Sequence, residues 1–169
     1  MPLPNDLLEQ AYHLANRERK RPKQASLRRA VSTAYYALFH LLISAAVKYW
    51  KIPEHRPLLA RFYEHGKMLN ACNRQMGECQ RFIDTRPAPV PGPDLNCMIH
   101  LRTVSLAFSQ AQQHRHTADY DLAKAWTRTE AIQVIDQVDA AFQSLAAISD
   151  QEFTQKFLLS LLGAPKGTS

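Results

Sequence analysis

From Gln24 to Trp50 the chain carries neither glycine nor proline, and that uninterrupted stretch constrains the fold more than any other feature. Within it Leu27, Val31, Ala34, Leu38, Leu41 and Ala45 recur at steps of three and four, the spacing that lines up one face of an α-helix. A strand would alternate with period two, and no segment does so convincingly. The whole sequence holds only five glycines, and its prolines gather mostly before residue 23 and in RPAPVPGP at 86–93. Breakers therefore punctuate the periodic segments rather than interrupt them. An all-α fold follows.

Six helical segments are predicted. The first runs from Asn5 to Arg17 with Leu7, Leu8, Ala11, Leu14 and Ala15 as its apolar face, and the second from Gln24 to Trp50. A second face of this long helix carries Arg29, Ser32, Tyr36 and His40, a polar row beside the core stripe. The third covers Leu58 to Ile83 through Leu58, Phe62, Leu69, Cys72, Met76, Cys79 and Ile83, with Gly66 as a point of division. After the proline-rich loop, Asp94 caps a helix over Leu95 to His114 whose stripe is Cys97, Leu101, Val104, Phe108 and Ala111. The next position in that series is Arg115, which should point inward. Thr127 and Glu130 have capping-box spacing and open the fifth helix, and SDQE at 149–152 repeats the signal before a last segment with Phe153, Phe157 and Leu161, ended by Gly163 and a polar tail.

A chain of 169 residues that is 46% hydrophobic suits one ordinary core, with 1–149 as the bundle and 150–169 as a C-terminal amphipathic helix and short tail. The architecture expected is an antiparallel up-and-down bundle of five to six helices. No basic start precedes an apolar block, and the apolar stretch 34–47 is broken by His40 and Ser44 and too short to span a bilayer, so a soluble, cytoplasmic protein without membrane partners is expected. Cys72, Cys79 and Cys97 form no CxxC pair and are expected in the core.

The net charge of +6 is uneven: residues 1–51 hold nine Lys/Arg against three acids, and the remaining twelve and twelve cancel. The excess centres on RERKRPKQASLRR at 17–29, where Arg17, Arg19, Lys20, Arg21, Lys23, Arg28 and Arg29 face one acid, Glu18. Such a run attracts phosphate backbones by counterion release, and it is equally the composition of a solvated turn between helices.

Chemistry concentrates in QQHRHTADYDL at 112–122. The Glu-x-x-His pairs of carboxylate-bridged metal sites are absent, as are glycine-rich phosphate loops and a serine nucleophile elbow, so neither a metal nor a cofactor is expected. What remains suits metal-independent cleavage of RNA, which needs a base for the 2′-hydroxyl, an acid for the leaving oxygen and a cation for the phosphorane. His114, Arg115, His116 and Tyr120 are the residues for these roles, with Tyr36, His40, Asp119 and Asp121 to orient or brace them. The bland alternative is a helix end favoured by the macrodipole, with Arg115 paired to Asp119 or Asp121.

LRRAVSTAYYALFHLLISAA at 27–46, followed by RHTADYDL at 115–122, resembles the HEPN domain family in its small prokaryotic members, over about Leu7 to Leu145. The resemblance implies a helical bundle that forms a homodimer and, in many relatives, a metal-independent ribonuclease of toxin–antitoxin, CRISPR or anti-phage systems. Catalytic relatives place a histidine four to six residues after the arginine. Arg115 matches that arginine, and Tyr120 stands where the histidine is expected. A phenol with a pKa of about 10 is a poor base near neutral pH. Two readings stay open: an RNA-binding protein or ribonuclease using His114 or His116, and a non-catalytic interaction or nucleotide-binding module that pairs with a nucleotidyltransferase-like partner.

Overall fold

The computed structural model describes residues 2–85, 87, 88 and 90–163. The polar tail after Gly163, and Arg86 and Pro89 of the proline-rich loop, lie outside them. Among the described residues there are seven α-helices and no strand: α1 (Leu3–Ala15), α2 (Gln24–Val47), α3 (Arg56–Ala60) preceded by a 3₁₀ turn at Pro53–His55, α4 (His65–Ile83), α5 (Pro93–Tyr120), α6 (Arg128–Ala147) and α7 (Glu152–Ser160). The chain forms two compact units, one of residues up to 41 with 107–143, the other of residues 42–106 with those from 144 onward.

In the first unit most of each predicted stripe is core, while Leu7 and Leu14 of α1, Leu41 of α2 and Phe142 of α6 are only partly buried. Leu27, Val31, Ala34 and Leu38 of α2 are fully buried, as are Ala11 and Ala15 of α1, Phe108 of α5, and Ala131, Ile135 and Val138 of α6. Each large apolar side chain removed from water contributes about 1.5–3 kcal/mol. α2 has the length and composition of a membrane span, with a mean hydropathy of 1.6 over its most apolar window, yet 67% of that window is buried inside the protein. The capping box at the start of α6 forms as expected: the Glu130 amide donates to Thr127 Oγ1 at 3.2 Å, and the Thr127 amide to Glu130 Oε2 at 2.8 Å.

α5 runs six residues past its predicted end at His114. Its buried face continues through Ala111 to Ala118, so helical packing still stabilises the turn that the polar residues decorate. It stops after Tyr120, where Asp121 Oδ1 accepts the amides of Ala123 and Lys124 at 2.9 and 3.3 Å and folds the chain into a local turn. Asp94 is not a cap: it stands in the first turn behind Pro93, whose fixed φ opens the helix.

The second unit departs further from expectation. The predicted helix over 58–83 is divided, not at Gly66 but by a break at 61–64, which yields the seventh helix. The buried residues of α4 are Met68, Ala71, Cys72, Gln75 and Cys79, a face rotated from the predicted one. Leu58 and Phe62 are 57% and 66% exposed. Cys72, Cys79 and Cys97 are buried free thiols. α7 packs within its own chain: Phe157, Leu158 and Leu161 are buried, and the Phe153 ring meets Phe82 at 6.5 Å. The second capping box is not made, since Gln151 gives no side-chain cap and Gln155 instead donates to the Ser149 carbonyl at 2.8 Å. The chain leaves α7 through Gly163, whose φ of 104° lies where a side chain would be strained.

Candidate functional site

The polar residues from His114 to Tyr120 sit on the last two turns of α5, and helical geometry distributes them over several faces. Arg115 and Asp119, one turn apart, form an ion pair at 3.6 Å, with the arginine side chain 17% exposed. The guanidinium also lies 5.3 Å from the centroid of the buried Tyr35 ring of α2. Such a stack adds cation–π attraction where water is largely excluded. Asp119 accepts a hydrogen bond from the Ser32 hydroxyl, so α2 and α5 are tied through one carboxylate. Arg115 Nε is buried without a hydrogen-bond acceptor. Continuation of the apolar stripe correctly anticipates the inward arginine; nothing in the spacing indicates that Tyr35 meets it or that Ser32 bonds its partner Asp119, because those contacts join residues distant in sequence.

Within the chain, His114 and His116 turn away from Arg115 to other rings. The His114 ring packs edge-on to Trp126 at 5.9 Å, and burial, reinforced by the Lys124 charge, holds its pKa below the ordinary histidine value. His116 turns to Tyr120, one helical turn on, with ring centroids 5.1 Å apart; Tyr120 is 66% exposed. Asp121 is engaged in the turn that ends α5. Beyond it Lys124 binds Glu130 at 2.6 Å, and that hydrogen bond, with those from Thr127, draws the Glu130 pKa down to about 2.

The polar row predicted on α2 lines a groove of about 460 Å³. Arg29, Ser32, Thr33, Tyr36 and His40 form one wall, and Leu3, Leu7, Gln10 and Leu14 of α1 the other. Burial pushes the His40 pKa down, which keeps the ring neutral at pH 7. With one cation, hydroxyls and an aliphatic wall, the groove suits an amphipathic ligand with a single anionic end.

The basic run divides by role. Arg17, Arg19, Lys20, Arg21 and Lys23 are exposed on the turn between α1 and α2. Arg28 is used internally: its Nη1 donates to the Ala118 carbonyl at 2.8 Å, an acceptor at the end of α5, and its Nη2 to the Lys124 carbonyl in the loop that follows. The acid within the run, Glu18, serves the fold by accepting from Ser26 Oγ at 2.8 Å and from the Lys23 amide at 3.3 Å. From α6, Arg128 donates to the carbonyls of Ala15, Glu18 and Arg19. This residue, which no motif in the sequence singles out, fixes the backbone that carries the exposed cations.

Among the described residues no three His, Cys, Asp or Glu side chains gather closely enough to hold a metal ion. Compared with protein-family models, characterised proteins and solved structures, the chain matches none of them.

Proposed function

We propose that this chain is a HEPN-like up-and-down helical module that binds RNA without cleaving it. The observation that carries the reading is the opposite fate of its cationic features. Arg115, the cation a ribonuclease of this type would turn to phosphate, is held by Asp119 and Tyr35, whereas five cations of the turn at 17–23 face solvent on a backbone braced by Arg128. A guanidinium already neutralised by a carboxylate contributes little to a phosphorane, and neither neighbouring histidine turns toward it. Exposed lysines and arginines on a fixed turn, by contrast, gain affinity for a polyphosphate by releasing its counterions.

The test is incubation of the purified protein with labelled single-stranded RNA in EDTA, with binding and cleavage read together. The expected result is retarded, intact RNA, with affinity falling as salt rises. Replacing Arg19, Lys20 and Arg21 by Gln should weaken binding and flatten the salt slope by about 0.7 for each phosphate no longer neutralised. Cleavage by the wild type that disappears in Arg115→Ala and in a His114/His116 double alanine variant would restore the ribonuclease reading.

A further inference from the structure

The second unit carries an exposed apolar segment of its own. Of the large apolar side chains left exposed, five fall within residues 49–62: Tyr49 (52%), Trp50 (49%), Ile52 (45%), Leu58 (57%) and Phe62 (66%). They alternate with Lys48, Lys51, Arg56 and Arg61 against one acid, Glu54. The segment is held in shape from inside. Arg56 donates through Nε and Nη2 to the Trp50 carbonyl at 3.3 and 3.1 Å, the His55 amide to the Ile52 carbonyl at 3.1 Å, and Tyr49 anchors by its hydroxyl to Asp150 at 3.2 Å. Single exposed leucines are ordinary on a protein surface, but five large apolar groups left in water within fourteen residues of one braced segment are a concentration that calls for a partner.

We infer that residues 48–62 form a peripheral docking surface for an anionic phospholipid bilayer. The composition selects this occupant. Tryptophan favours the headgroup level, where its ring is half apolar and its N–H stays wet, and the exposed Lys48, Lys51 and Arg61 reach lipid phosphates with extended stems, while Tyr49 and Arg56 hold the segment in shape. Ile52 and Leu58 decide against single-stranded RNA as the alternative, since an aliphatic side chain gives a base nothing to stack on, whereas acyl chains accept it. The surface lies on a bilayer rather than crossing it, and the inference is independent of the RNA reading.

The full-length protein should co-float with vesicles of phosphatidylcholine containing phosphatidylglycerol, and not with phosphatidylcholine alone, and added salt should release it. Trp126 is buried and Trp50 exposed, so a blue shift of tryptophan emission on vesicle addition reports Trp50. Phe62→Ala and Trp50→Ala should each lower vesicle affinity about tenfold, the factor expected when roughly half of a large apolar side chain no longer leaves water. Both side chains are solvent-facing, and retained RNA binding with an unchanged melting curve shows that the variants fold. Replacing Arg19, Lys20 and Arg21 by Gln should leave the blue shift intact. Failure to float at low ionic strength overturns the inference, as does flotation indifferent to both ring replacements. So does loss of RNA affinity in the ring variants, which would assign the surface to nucleic acid. Absence of RNA binding with vesicle binding intact would remove the proposed function and leave this surface standing.

Discussion

The end of α5 and the segment 48–62 are mirror images of each other in what their composition implies and where their side chains go. Residues 114–121 are dense in histidine, arginine and aspartate and look like a reactive surface, yet Arg115 is turned inward between Asp119 and Tyr35. Leu58 and Phe62 have helical apolar spacing and look like core, yet both face solvent. Polarity and exposure are separate properties. A buried charge persists when a partner compensates its desolvation, and an apolar group stays outside when no second helix covers it.

The sharpest way to break this contrast is Arg115→Ala. If the arginine is structural, the variant leaves Asp119 with one partner fewer and a gap against Tyr35, and urea unfolding should show a loss of about 2–3 kcal/mol. A loss within experimental error would return Arg115 to the surface chemistry suggested by its neighbours. Arg128→Ala should cost about 2 kcal/mol, because one guanidinium satisfies three carbonyls at the end of α1 and the turn that follows. It should also weaken RNA binding although Arg128 is not among the exposed cations, a coupling that fluorescence anisotropy can read. Ser32→Ala removes the link to Asp119 and should cost about 1 kcal/mol, less in an Arg115→Ala background if the three form one network.

A gentler effect is expected from pH. His114 and His40 have depressed pKa values in the folded state, so as pH falls through about 6.5 the unfolded chain binds more protons and stability falls; above about pH 7.5 neither histidine contributes much slope. Thermal melts at pH 7.5 and 5.5 should show a smaller difference in His114→Gln than in the wild type. The smallest change belongs to the other region: Phe62→Ser, with its ring already mostly in water, should alter stability by under about 0.5 kcal/mol. A larger loss would place Phe62 in a core after all.

The first unit was the more legible in sequence. Leu27, Val31, Ala34 and Leu38, the Thr127 capping box and the inward position of Arg115 all follow from spacing on a single helix, where neighbours in space are three or four apart in sequence. The second unit was less legible because its short elements carry too few turns for a periodicity to establish its phase. Leu58 and Phe62 continue a stripe by spacing alone, and the break at 61–64 then restarts the helix at His65 with a rotated face. The candidate site divides in the same way. The polar row Arg29, Ser32, Tyr36 and His40 could be read from α2 alone, but its opposing wall on α1 could not.

By itself, then, the sequence determined that the protein is helical, where most helices lie and which face of α2, α5 and α6 is buried, because those properties depend on local spacing and on the absence of breakers. Tertiary structure decided which polar groups are spent on one another. Arg28 caps α5 across 90 positions, Arg128 braces the basic turn across 110, and Asp119 joins Ser32 to Arg115. A hydrogen bond or ion pair is made by atoms within a few ångströms, and the chain brings such distant groups together only after its apolar faces have packed.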